Sequence, residues 1–277
     1  YNHIGNTLTA GVRGDATVNL TGDLALQAGG APTDATLDAL AGTQRSSAVT
    51  DYDMSSGSNG YTSEFKNAVG GESIVGVAGT LSASLGGNAT SLGMSYVHND
   101  IRTTYDAELD AGVTATGQVS VTALSRADIV GVSAGVGATK GKFSGMGSAS
   151  VNLIGQRTQA QVTGGSVTAA GLALQSDTRG NSFALAGNLS FAVGGGNGKA
   201  AGAAVAVTQT GTRTYTSGTS TLGTRAAGNT ASIDSAAVSV GTGTVQVQAN
   251  NTSHTRSIAA SGAASDGNVG FAGTVTA

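Results

Sequence analysis

From Val130 to Ala138 every second residue is Val or Ala, and every residue between them is Gly or Ser. Phe183, Leu185, Gly187, Leu189, Phe191 and Val193 repeat the rule. A period of two places successive side chains on opposite faces of a strand. These runs therefore predict strands with one branched apolar face and one face of Gly, Ser and Ala. The small face lets a second layer come close. It also weakens each strand on its own, because glycine loses the most backbone entropy on ordering. Such strands need neighbours that lock them.

The neighbours are predicted by repetition. VTATGQVSVTA (113–123) aligns with VTAAGLALQS (167–176), VSVGTGTVQVQA (238–249) and, more distantly, TVNLTGDLALQA (17–28). Apolar runs opening at Ile74, Ile129, Phe183 and Ile258 follow, then a turn, then another alternating run. Arg-Thr pairs close three of the units, at Arg102, Arg157 and Arg213. The spacings are 157 − 102 = 55 and 213 − 157 = 56. The repeats read as 17–112 with a polar insertion at 29–72, 113–166, 167–237 with an insertion at 217–236, and an incomplete 238–277. Units that cannot bury a face alone stack in series. The expectation is one all-β array over 1–277, an elongated β-solenoid of about 55 residues and roughly three strands per repeat. Its uncapped ends would expose edges able to pair with copies of the same chain. A coil of that size needs either long strands or a hairpin at the glycine turn, and the alternation allows both.

The turns invite a different reading. Val193-Gly-Gly-Gly-Asn-Gly-Lys199 looks like a phosphate loop. A P-loop needs Gly, four residues, then Gly-Lys-Ser/Thr. Val193 stands at the first glycine and Ala200 after the lysine; Gly141-Lys142 fails in the same way, with Val136 and Phe143. Equivalent stretches carry Gly87-Asn88, Gly141, Asn197-Gly198 and Gly267-Asn268, all residues that tolerate positive φ. They are predicted to be turns between strands.

Composition agrees with a narrow core. Glycine is 45 of 277 residues, charged residues are 10%, and Cys and Trp are absent. Side chains this small fill a core only where two sheet faces come close. A net charge of −3 without a basic run argues against nucleic acid. No apolar run is long enough for a membrane-spanning helix. Lack of cysteine suits an extracellular bacterial protein that does without disulfides.

Alternating Val/Ala/Gly runs, glycine turns and Arg-Thr or Asn-rich strands recurring over roughly 70–277 resemble the repeats of large secreted bacterial surface proteins. The chain is similar in pattern to filamentous-haemagglutinin-like and leukotoxin-like filamentous adhesins. That resemblance implies export across the outer membrane, a β-solenoid stalk on the cell surface, and a part in adhesion, biofilm or surface coating.

Candidate contact residues follow. Arg13-Gly14-Asp15 is an integrin-type tripeptide or a chance match in a glycine-rich chain. Arg126, Arg179 and Arg256, and Arg102, Arg157 and Arg213, form two series. Each is a basic stripe for acidic polysaccharide or a solvated edge that deters unwanted pairing, with Asp128, Asp177 and Asp106 as expected partners. Tyr52 and Tyr61, among Asp51, Asp53 and Glu64, form a polar aromatic cluster suited to a glycan or protein contact, or a plain surface loop. His3, His98 and His254 lack metal-ligand spacing, and no catalytic or cofactor motif is visible. The expected function is a structural stalk or filament segment. Partners would be neighbouring repeats, copies end to end, or a host surface or polysaccharide. The alternatives are a self-assembling filament subunit and a β-helical polysaccharide-degrading enzyme, which would need paired carboxylates beside a groove.

Overall fold

A computed structural model describes residues 1–29, 72–217, 220–225, 227–267 and 269–277. Among them every regular element is a strand. The first sheet holds β1 (Asn2–Leu20), β4 (Thr90–Ala115), β6 (Phe143–Gly164), β7 (Ser166–Ala169), β9 (Lys199–Thr210), β12 (Gly228–Ile233), β13 (Ala237–Val240) and β15 (Val269–Thr276). The second holds β2 (Leu24–Ala28), β3 (Glu72–Ser84), β5 (Gln118–Thr139), β8 (Gly171–Ala192) and β14 (Val245–Ser265). Pairing within both sheets is parallel. A separate antiparallel hairpin joins β10 (Arg213–Ser217) to β11 (Ser220–Arg225).

The chain alternates between the sheets. β4 lies in the first, β5 in the second, β6 in the first again and β8 in the second. The glycine turns therefore arch from one sheet to the other and close no hairpin. Residues 90–139 form two long strands, of 26 and 22 residues, rather than three. Thr116-Gly117 forms the opposite corner, where β4 passes into β5.

Register is continuous over long stretches. Gln118 to Thr139 face Gly171 to Ala192 in step, an offset of 171 − 118 = 53. Several aligned sequence landmarks meet: Leu24, Val119, Leu172 and Val245 form one column, and Val18, Val113, Val167 and Val238 another. One landmark slips. Ile129 faces Ser182, whereas Phe183 faces Val130, because Ile129 belongs to the interior and Phe183 to the opposite parity.

Across their length the strands enclose two different interiors. Toward the 116–117 corner, Leu109, Val113, Val119, Val121, Val162, Val167, Leu172 and Leu174 pack together, each at most 2% exposed. Burying each aliphatic side chain there contributes about 1.5–3 kcal/mol. Toward the glycine arches the layer between the sheets is polar and small. Ser95 and Ser133 hydroxyls lie 2.7 Å apart, Ser144 and Ser190 2.9 Å, and Ser82 and Ser91 2.8 Å, each pair joining the two sheets. Gly131 makes the close approach possible: a Cβ there would lie 2.4 Å from Ser150 Oγ and 2.6 Å from Asn152 Oδ1.

At the waist between these interiors sit Ile101, Ile129 and Ile154, beside a ladder of asparagines in which Asn99 and Asn152 are buried. Asn2 Nδ2 donates to Asn99 Oδ1 at 2.8 Å and Asn99 Nδ2 to Asn152 Oδ1 at 2.8 Å; Asn152 Nδ2 donates across to the Phe183 carbonyl at 2.6 Å. The β10–β11 hairpin leaves the first sheet near this level. Thr210 faces Ile154 and Gly228 faces Arg157, so residues 211–227 stand where β6 has only Gly155 and Gln156. The excursion is thus 211–227, not 217–236, because β12 rejoins the first sheet. In the second sheet Ala28 faces Ala123 and Glu72 faces Ala127, with Leu124–Arg126 between the two pairings.

Candidate functional surfaces

The arches are extensions of the sheets. Backbone bonds carry the parallel pairing around them: Lys140 N–H to Ser84 O (2.9 Å), Val193 N–H to Thr139 O (2.8 Å) and Asp266 N–H to Ala192 O (3.0 Å). On the other side Lys142 N–H reaches Ala89 O at 3.0 Å and Lys199 N–H reaches Lys142 O at 2.9 Å. Gly141 N–H donates to Thr139 Oγ1 at 2.8 Å. Gly87 and Asn88 form an exposed turn closed by Ala89 N–H to Gly86 O at 2.9 Å. Gly267 sits so tightly on Gly198 that a Cβ would come within 2.2 Å of its carbonyl oxygen. Asn268 lies outside the described residues.

The Gly194-Gly195-Gly196 arch does cradle an anion, and the anion is internal. Gly195 and Gly196 have φ of 65° and 90°, which turns their N–H groups toward one point. Gly194 N–H donates to Asp266 Oδ1 at 2.9 Å, and Gly196 N–H to Oδ2 at 3.2 Å. The Gly194 N–H, foremost among these amides, holds the Asp266 carboxyl below the usual carboxylate range, against a smaller opposing effect of desolvation. Asp266 and its glycine partners lie on different arches, 70 and 72 residues apart, so only the register brings them together.

The arginines do not form two columns. Arg126 does face Arg179 directly. Each carries its own carboxylate, Arg126 Nε to Asp128 at 3.0 Å and Arg179 Nε to Asp177 at 3.4 Å, which relieves the repulsion of stacked like charges. Arg256 falls opposite Phe183 and leaves the series. Arg102 faces Gly155, Arg157 faces Thr104, and Arg213 lies in the hairpin opposite Arg225. The reason is arithmetic: these arginines recur every 55 or 56 residues, while β4 and β6 pair 53 apart there. Arg102 takes Asp100 as partner at 2.6 Å, and Asp106 instead faces Arg13.

Arg13 is tied down, with Nε 2.6 Å from Glu108 and Nη2 3.5 Å from Asp106. Gly14 has φ of 85° at a register irregularity between Arg13 and Thr17, so Arg13-Gly14-Asp15 is a kink within β1 and its arginine is engaged. Tyr52 and Tyr61 lie outside the described residues. A cluster the sequence did not suggest lies on the outer face of β1 and β4. The Tyr96 hydroxyl and His98 Nδ1 are 2.8 Å apart, the Tyr1 ring is 4.8 Å from that of His98, and His3 Nδ1 is 3.7 Å from Asp100. Burial lowers the His98 pKa, and Asp100 opposes it. The cluster depends on β1 pairing with β4 at an offset of 99 − 2 = 97, a separation no local motif encodes.

Among the described residues no group of three His, Cys, Asp or Glu is placed to hold a metal, and no helix is long and apolar enough to cross a membrane. Comparison with protein-family models, curated proteins and solved structures finds no match.

Proposed function

We propose that this chain is a β-solenoid stalk segment of an extracellular bacterial adhesin or surface fibre. The observation that carries the reading is the parallel, in-step pairing of 22-residue strands offset by 53 residues, in two sheets joined by stacked arches. Such pairing adds length without changing the cross-section. The parallel columns at Val113–Val167–Val238 and Val119–Leu172–Val245 support treating the array as one stacked unit. Its work is mechanical: the stack sets reach and stiffness, and the β10–β11 hairpin supplies a place for contact. Cell-surface location and the adhesin role rest on the resemblance in composition and pattern.

The test is electron microscopy of the chain beside two copies in tandem. Rods that double in length support a stalk. End-to-end fibres from the single copy would favour a self-assembling subunit, and compact particles of one shape in both would overturn the stacked reading.

A further inference from the structure

The half of the molecule nearest the glycine arches is apolar on the outside. Leu81, Leu92, Met94 and Val193 are 80%, 65%, 69% and 61% exposed, and Phe191 is 40% exposed. They sit on both outer faces, because the serines and glycines of the same strands fill the interior. Single exposed apolar residues are ordinary; a group covering both sides of one edge marks a contact surface.

Charge indicates what that surface meets. Lys140, Lys142 and Lys199 all lie on the arches and are exposed. They are the only lysines among the described residues. The one acid on the described arches, Asp266, already has its carboxylate bonded to glycine N–H groups. A chain of net charge −3 thus gathers a positive edge where its apolar side chains are most exposed. Several arch amides are already bonded from one arch to the next, so entering a water-poor layer does not strip them of partners. A second copy laid alongside in the same direction would set lysine against lysine.

We propose that the arch edge docks on an anionic lipid surface, with Lys140, Lys142 and Lys199 at the headgroups and Leu81, Leu92 and Met94 at the acyl boundary. Apolar side chains interleaved with lysines are the chemistry of interfacial binding, which lies on a membrane without spanning it.

The 277-residue chain is tested by flotation with vesicles of phosphatidylserine and phosphatidylcholine in equal parts, against phosphatidylcholine alone. Binding to the mixed vesicles is expected, weakened by salt. The variant K140E/K142E/K199E should lower it about a hundredfold, at several-fold per lysine near a charged surface. Circular dichroism checks that the variant keeps its strands. Because the chain has no tryptophan, Met94→Trp gives a local reporter. Its emission should shift to the blue with mixed vesicles, while that of Thr104→Trp, on the outward side of the aliphatic half, should not. Failure of the wild-type chain to float with the mixed vesicles overturns the proposal. So does equal binding to both vesicle types that ignores the lysine change. A Met94→Trp shift that needs only higher protein concentration would assign the face to a second copy and also overturn it.

Discussion

Within β5, Val119 and Val121 are fully buried, whereas Val136, farther along the same strand, is 40% exposed and its neighbours Gly135 and Gly137 face the interior. β8 makes the same change, from buried Leu172 and Leu174 to Leu189 at 48% and Phe191 at 40%. One half of the molecule is held by aliphatic burial. The other is held by close approach, serine pairs and an asparagine ladder, and leaves most of its large side chains outside, with Met146 the buried exception. The first gains about 25 cal/mol per Å² of apolar surface buried. The second gains about 0.5–1.5 kcal/mol per satisfied hydrogen bond and is penalised more heavily for each one left unmade. Stability and surface chemistry are therefore divided along the strands.

The contrast can be broken most forcefully from the aliphatic side. Leu109→Ala, at a residue 0% exposed, should cost about 2–5 kcal/mol in urea unfolding. At the waist, Asn152→Ala removes the 2.8 Å acceptor of the Asn99 amide and the side-chain donor to the Phe183 carbonyl, and should cost about 1–3 kcal/mol by the same measurement. Gly131→Ala tests the close approach directly. Its methyl must displace Ser150 and Asn152, at an expected cost of about 1–3 kcal/mol, whereas an unhindered Gly→Ala change in a strand would stabilise. Leu189→Ala, on the outer face, should change stability by less than about 0.5 kcal/mol. If it cost as much as Leu109→Ala, the outer face would be covered in solution and the contrast lost.

The smallest effect concerns acid. The Asp266 carboxyl titrates below its ordinary range when folded, so its contribution is complete above that range and fades as pH falls through the lowered folded value. The difference in Tm between the wild-type chain and Asp266→Asn should narrow as the solution is acidified below the ordinary carboxylate range. A difference independent of pH would show that the glycine cradle does not depend on the carboxylate's charge.

Strands, their period and the arch positions are legible in the sequence, because alternation and glycine placement are local signals. The exchange of inside and outside is also written there, but less plainly. At Ile129-Val130 and Leu153-Ile154 two large apolar residues stand in succession, and the apolar parity shifts by one without any break in the pairing between β5 and β8. Read as a repeat landmark, Ile129 aligned with Phe183, a residue of the opposite face. The partner of Asp266, the setting of Arg102 and the Tyr96–His98 cluster depend on registers of 73, 53 and 97 residues, which a single sequence does not display. Composition foretold a thin layer between sheets, and it could not say that the layer occupies only half of the cross-section.

The unbroken pairing of β5 with β8 also has a mechanical consequence. Twenty-two consecutive positions face each other in step, with hydrogen bonds directed along the axis on which the strands stack. A tension spread evenly over that seam loads the whole row together, and rupture demands that many bonds fail at once. The same tension entering at one corner concentrates on the first pair and travels down the row like an opening zipper. The resistance of this molecule to force is therefore set by where the load enters the strand more than by the number of bonds along it.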